Sequence, residues 1–269
     1  MRNRNIFIIG FVIFLGCSEQ QSSDAENQTQ STDSLTTVIV DKGIKRPVTI
    51  EFPSLDGLSI NSGLVEIDPK APSILLCHQA GYNLHEYDEM IPRLNELGFN
   101  CLAIDQRSGG VLFDLVNRTA DRAISENLPV DYLSAEQDIA AGINYLFAKY
   151  EQPIIVWGSS YSAALALHLC QNNGKVKAVI AFSPDDYFGE NKPSLSSVLK
   201  NYKKPFFITS SKREGKTISK WFQSNQLTDN QVHFIPQGNG KHGSRVLWKE
   251  NPDHEEYWKA IESFLNSIK

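Results

Sequence analysis

The chain has 269 residues, 41% of them hydrophobic, with a formal net charge of −5. That length can bury one large core, and no break in composition after residue 40 calls for a second domain. The acidic balance and the lack of a clustered basic face argue against nucleic acid as a partner.

The first residues read as a targeting segment. Arg2 and Arg4 precede an apolar run from Ile6 to Gly16, which ends at Cys17 and a polar stretch. The run is too short to span a bilayer, which needs about 20 apolar residues. Phe14-Leu15-Gly16-Cys17 resembles the end of a bacterial lipoprotein signal, although an aromatic residue stands at its first position. The resemblance implies lipidation at Cys17 and a membrane partner through that anchor, in the bacterial cell envelope; an ordinary secretory signal is the alternative. Residues 18–37 hold one leucine among many polar residues, too little apolar surface to fold, and read as a linker ahead of a domain over 38–269.

Val48 to Phe52 and Leu58 to Ile67 alternate around Asp56-Gly57 and predict an antiparallel hairpin. Ser73 to Cys77 predicts a buried strand, Glu86 to Leu97 a helix stopped by Gly98, and Phe99 to Asp105 the next strand. Gly109 to Pro129 reads as an insertion, and Tyr132 to Tyr150 as a long amphipathic helix. Pro153 to Ser159 is an apolar strand running into the helix former Ala163 to Cys170. Val176 to Phe182, Pro205 to Thr209 and Val232 to Pro236 are further strands, Leu195 to Tyr202 a short helix, and His254 to Ile268 a closing one. Strands alternating with helices predict an α/β fold: a mostly parallel sheet covered on both faces, with its site at the carboxyl ends of the strands. Cys77, Cys101 and Cys170 fall in apolar patterns and read as buried free thiols.

The most informative stretch is Gly158-Ser159-Ser160-Tyr161-Ser162, a small-x-Ser-x-small string between strand and helix. A serine on so sharp a turn needs small residues two positions either side, and its hydroxyl projects into the cleft. Ser162 centres a second such string, Ser160 to Ala164. Of six histidines, His242 lies in the glycine-rich loop after the last strand, where an imidazole can reach a serine. His233 lies inside a strand, His168 on an apolar helix, and His85 and His254 at surface positions.

From about residue 45 the chain resembles the α/β-hydrolase superfamily, nearest to single-domain dienelactone-hydrolase-like and prolyl-oligopeptidase-like esterases, without a large cap domain. The resemblance implies a triad in the order nucleophile, acid, base: Ser160, then Glu214 at the end of the proline-led strand from Pro205, then His242. Asp185 and Asp186 are rival acids, and a solvated charge in Lys212-Arg213-Glu214 is the less favoured reading of Glu214. It also implies an oxyanion hole from the Tyr161 N–H and a second donor in His78-Gln79-Ala80-Gly81, either Gln79 or Ala80; His78 itself reads as structural. The implied activity is hydrolysis of a small-molecule or polymer-attached ester through an acyl-enzyme, with peptidase or thioesterase chemistry, or a non-catalytic lipoprotein of the same fold, as alternatives. Arg107, Arg118 and Arg122 are candidate binders of a substrate carboxylate, with solvated loop arginines the preferred reading. No Cys or His pair has metal-ligand spacing and no glycine-rich phosphate loop follows a strand, so no metal or cofactor is expected.

Overall fold

The computed structural model describes residues 45–223 and 226–269. Cys17, the signal and the linker over 18–37 lie outside the described residues. Eight strands form one sheet: β1 (Val48–Pro53), β2 (Ser59–Val65), β3 (Ser73–Cys77), β4 (Asn100–Ile104), β5 (Ile154–Ser159), β6 (Val176–Phe182), β7 (Phe206–Thr209) and β8 (Gln231–Phe234), in the order β1-β2-β4-β3-β5-β6-β7-β8. β2 is antiparallel to both its neighbours, and every pairing from β4 to β8 is parallel.

The described residues hold seven α-helices, six between strands and one after β8: α1 (Ile91–Glu96), α2 (Arg118–Ser125), α3 (Glu136–Tyr150), α4 (Tyr161–Cys170), α5 (Leu195–Leu199), α6 (Lys212–Ile218) and α7 (His254–Ser267). The central strands read as unbroken apolar runs because both their faces are covered. Along β3, Leu75 and Cys77 join Ile139, Ile143 and Leu146 of α3 and Leu165 and Leu167 of α4 in one core layer. Ile74 and Leu76 point the other way, to Leu94 of α1 and Tyr257, Trp258, Ile261 and Phe264 of α7. Each such large side chain contributes about 1.5–3 kcal/mol by leaving water, so these two layers hold the strand ends in place.

Two helices start later than the sequence predicts. Between Glu86 and Leu97 the chain forms a 3-10 turn, Leu84–Tyr87, and then α1, with Pro92 in the first turn of the helix. Proline lacks an N–H and fits only there, so the helix begins beside it. The helix predicted from Tyr132 starts at Glu136, because the Asp131 carboxylate accepts bonds from both the N–H and the hydroxyl of Ser134 and closes a turn instead. α2 and α6 lie in stretches read from the sequence as insertion and loop.

Candidate active site

At the carboxyl end of β5 the backbone turns abruptly into α4. Ser160 stands at the turn with φ 61° and ψ −123°, a conformation that costs a non-glycine residue about 1–3 kcal/mol. Gly158 makes the turn sterically possible: a Cβ there would lie 2.5 Å from the Ala163 Cα and the Ser162 carbonyl oxygen. The Ser162 hydroxyl is buried and spent on the turn, accepting from the Ser159 N–H (2.8 Å) and lying 2.8 Å from the Cys77 carbonyl, which it can donate to. The second small-x-Ser-x-small string is therefore a structural clasp, and Ser160 is the serine that faces the cleft.

Ser160 Oγ lies 2.8 Å from His242 Nε2, and His242 Nδ1 lies 2.6 Å from Glu214 Oε1. The second carboxylate oxygen of Glu214 accepts from the Ser183 hydroxyl (3.0 Å), the Ser211 N–H (3.1 Å) and the Ser211 hydroxyl (2.8 Å). Burial acts to raise the Glu214 pKa, but the bonds from His242, Ser211 and Ser183 overcome it and hold the group down at about 2. An ionised carboxylate only accepts, so Nδ1 carries the imidazole proton and Nε2 is left to accept from the Ser160 hydroxyl. The three side chains come from the loops after β5, β7 and β8, and they meet in the row Ser160–His242–Glu214.

The rival acids point elsewhere. Asp185 accepts from the Asp186 N–H, Asp186 accepts from the Leu195 N–H, and neither bonds His242. The other histidines stay apart from Ser160. His78 is fully buried, its Nε2 accepting from the Gln106 N–H at 2.9 Å, while burial lowers its pKa. Burial likewise takes His233 down to about 4.

The Tyr161 N–H opens α4 and has no acceptor within its helix. Of the two residues proposed from the sequence as a second donor, Gln79 is excluded, because its N–H is bonded at 2.7 Å to the buried carboxylate of Glu86. The Ala80 N–H donates to no group among the described residues. The Tyr161 side chain is buried and held from behind by Ser108 (2.5 Å) and Gln106 (2.9 Å), with Tyr132 stacked on it at 4.6 Å.

Several groups around Ser160 carry no sequence signal of their own. The Tyr187 hydroxyl lies 3.1 Å from Ser160 Oγ and donates to the Ser183 carbonyl at 3.2 Å. Ser183 sits at the end of β6 with φ 50° and also accepts from the Gly243 N–H at 3.0 Å, tying the loop of His242 to the carboxylate it faces. Ser211, in contrast, carries a signal that the sequence reading passed over: Ser211-x-x-Glu214 is a capping-box pattern, and the box is formed at the start of α6.

Two of the three arginines are engaged within the protein, and Arg107 is not the solvated loop charge expected from the sequence. It is fully buried, with Nε and one terminal nitrogen on Asp138 and both terminal nitrogens on Asp56. A charge removed from water needs partners of this kind, which explains its position under the sheet end. Arg122 pairs with Glu51 and donates to the Ser59 carbonyl. Arg118 is exposed. Among the described residues no group of three or more His, Cys, Asp or Glu side chains lies close enough to hold a metal ion, and no helix is long and apolar enough to cross a membrane.

This sheet order, with its single reversed strand and a strained serine after β5, defines the α/β-hydrolase fold, and solved structures agree. An esterase of Pyrococcus furiosus superposes with a TM-score of 0.63 at 16% identity, covering 83% of this chain and 91% of the esterase. Dienelactone hydrolase from Anabaena variabilis gives 0.61 at 11% identity over 84% and 99% of the two chains. An acylaminoacyl peptidase of Pyrococcus horikoshii gives 0.58 at 18% identity, over 84% of this chain and 42% of the peptidase. No protein-family model and no curated protein sequence matches the chain.

Proposed function

We propose that the chain is a serine hydrolase that cleaves carboxylic esters through an acyl-enzyme. The observation that carries this reading is the bonded row Ser160–His242–Glu214, with the strained backbone of Ser160 presenting its oxygen to the cleft. Ser160 Oγ attacks the ester carbonyl carbon while its proton passes to His242 Nε2, and Glu214 stabilises the imidazolium. The carbonyl oxygen becomes an oxyanion, held by the N–H groups of Tyr161 and Ala80, each worth on the order of 3 kcal/mol of barrier. As the tetrahedral species collapses, the C–O bond to the alcohol breaks and Nε2 returns the proton to the leaving oxygen. Water then attacks the acyl-enzyme, giving its proton to His242 and freeing the acid and Ser160.

The connection from β6 to β7 holds only a 3-10 turn, Gly189–Asn191, and the five-residue α5, so it builds no large cap over Ser160. An uncapped site favours short-acyl, soluble or polymer-attached esters. The likeness to acylaminoacyl peptidase supports a second reading, in which the same attack releases an amine.

A fluorophosphonate probe tests the class. The wild-type protein should be labelled and Ser160→Ala should not, with its circular dichroism unchanged. An unlabelled wild type, or labelling that moves to Ser162, would sink the proposal. Rates on esters of graded acyl length, set beside peptide anilides, then separate esterase from peptidase. The sequence further supports a lipid anchor at Cys17 holding the enzyme to a bacterial envelope membrane. Mass spectrometry of the native N-terminus tests this, and an unmodified Cys17 would leave a secreted hydrolase.

A further inference from the structure

Behind the site lies a carboxyl group that the proposed reaction does not use. Glu86, on the 3-10 turn after β3, is fully buried and takes part in no salt bridge among the described residues. Its Oε2 accepts from the Gln79 N–H at 2.7 Å, and its Oε1 accepts from the Ser159 hydroxyl at 2.7 Å. Ser159 Oγ in turn accepts from the Ser244 N–H at 2.8 Å. Glu86 thus joins the loop that carries Ala80, the residue preceding Ser160, and the loop two residues beyond His242. The three loops are in direct contact here: a Cβ on Gly243 would meet Gln79 Oε1 at 2.3 Å and Ser159 Oγ at 2.8 Å.

We propose that Glu86 is a positioning residue for the hydrolase reaction, holding as a carboxylate the oxyanion loop, the nucleophile turn and the base loop in one register. The inference rests on the serine hydrolase reading and deepens it. A buried carboxyl is a costly way to join three loops, since an apolar contact would pack them without desolvating a charge. What the carboxylate adds is direction. By engaging the Gln79 N–H it leaves the next N–H, that of Ala80, as the one to meet the oxyanion, and misplacing such a donor by about 1 Å costs on the order of 100-fold in rate.

The arrangement needs the charged form. Both contacts on the carboxylate are donors, so a proton on Oε1 would force the Ser159 hydroxyl, which already accepts from Ser244, to find another acceptor. Burial pushes the Glu86 pKa up to about 7, against the opposing pull of the Gln79 and Ser159 bonds and of Arg245 and His242 nearby. The remaining titratable neighbours, Cys77, Tyr87 and Tyr161, are buried and have pKa values raised well above their usual range, so they stay neutral as Glu86 titrates.

Glu86→Gln tests the proposal, because an amide keeps the shape but has one acceptor for two donors. At about pH 9 the variant should lose roughly 10–100-fold in kcat with KM within about threefold. The ratio of wild-type to variant kcat should shrink as the pH falls through about 7 toward 6, where wild-type Glu86 takes up its own proton. A purely structural role would lower thermal stability and move neither the kcat-to-KM split nor the ratio. A folded variant with wild-type kcat at pH 9, or a ratio constant with pH, overturns the proposal. Should Glu86→Gln fail to fold, Ser159→Ala cuts the same link, and an unchanged kcat there overturns it too. Fluorophosphonate labelling of wild type keeps the two readings apart: no labelling removes the hydrolase and this role with it, whereas labelling at equal rates in wild type and variant removes only Glu86.

Discussion

Glu214 does two jobs with its two oxygens. Oε1 faces His242, while Oε2 closes the capping box of α6 and receives the Ser183 hydroxyl. A glutamate can divide itself in this way because its side chain reaches back from the third helical position to the N-cap. The imidazole is therefore oriented by a carboxylate that the helix itself holds still. Glu214→Gln should cut turnover by roughly 10³–10⁴-fold, the loss expected when the imidazole is left without its orienting charge. Asp185→Asn, whose carboxylate only receives a neighbouring N–H, should change it less than about threefold. The reverse order, measured on one ester with both variants folded, would move the acid to the loop after β6.

Among the elements, α6 is the one on which the site depends most and which the sequence discloses least. Its seven residues, Lys-Arg-Glu-Gly-Lys-Thr-Ile, have one large apolar side chain and an internal glycine, so no helical period stands out. Only the Ser-x-x-Glu spacing marks its start. Ser211→Ala should remove about 1 kcal/mol of stability as a lost N-cap, and should also slow turnover by about tenfold because Glu214 loses a bond that fixes its rotamer. Equilibrium denaturation and steady-state rates on the same preparation check both effects. The core strands were legible for the opposite reason: β3, β5, β6 and β7 are buried on both faces and declare themselves as apolar runs. The strained turn at Ser160 was legible because sterics restrict its neighbours to small residues. Tyr187, Ser183 and Glu86 were not, since each reaches the site from a position whose local pattern carries no constraint. Their contacts span 27, 31 and 73 residues of sequence respectively.

At the scale of the whole molecule, Arg107 shows how the antiparallel edge is fastened to the parallel part of the sheet. From the loop after β4 it bonds Asp56 and Ser54, between β1 and β2, and Asp138 in the first turn of α3. Asp56 and Asp138 lie 51 and 31 residues away in sequence, so a reading of local patterns takes this residue for a solvated loop charge. Arg107→Met leaves Asp138 buried without its counter-charge and should destabilise the fold by about 3–5 kcal/mol. The same change should leave the Ser160–His242–Glu214 distances intact, so turnover per folded molecule should survive where denaturant midpoints fall. A variant as stable as wild type would show that the network contributes nothing net.

The three thiols within the folded layers offer a clock for how the molecule comes apart. Cys77 and Cys101 lie on the adjacent strands β3 and β4 but face opposite helix layers, and Cys170 is the last residue of α4. All are fully buried, and burial raises each pKa, so the native state keeps them both inaccessible and protonated against any disulfide reagent. Modification then reports excursions from the native state alone. In variants that retain one of the three, Cys77 and Cys101 should react at one shared slow rate, because separating β3 from β4 dismantles both layers together. Cys170 should react sooner, through fraying of a helix end. If Cys77 and Cys101 reacted at different rates, the two sides of the sheet would be opening as separate cooperative units.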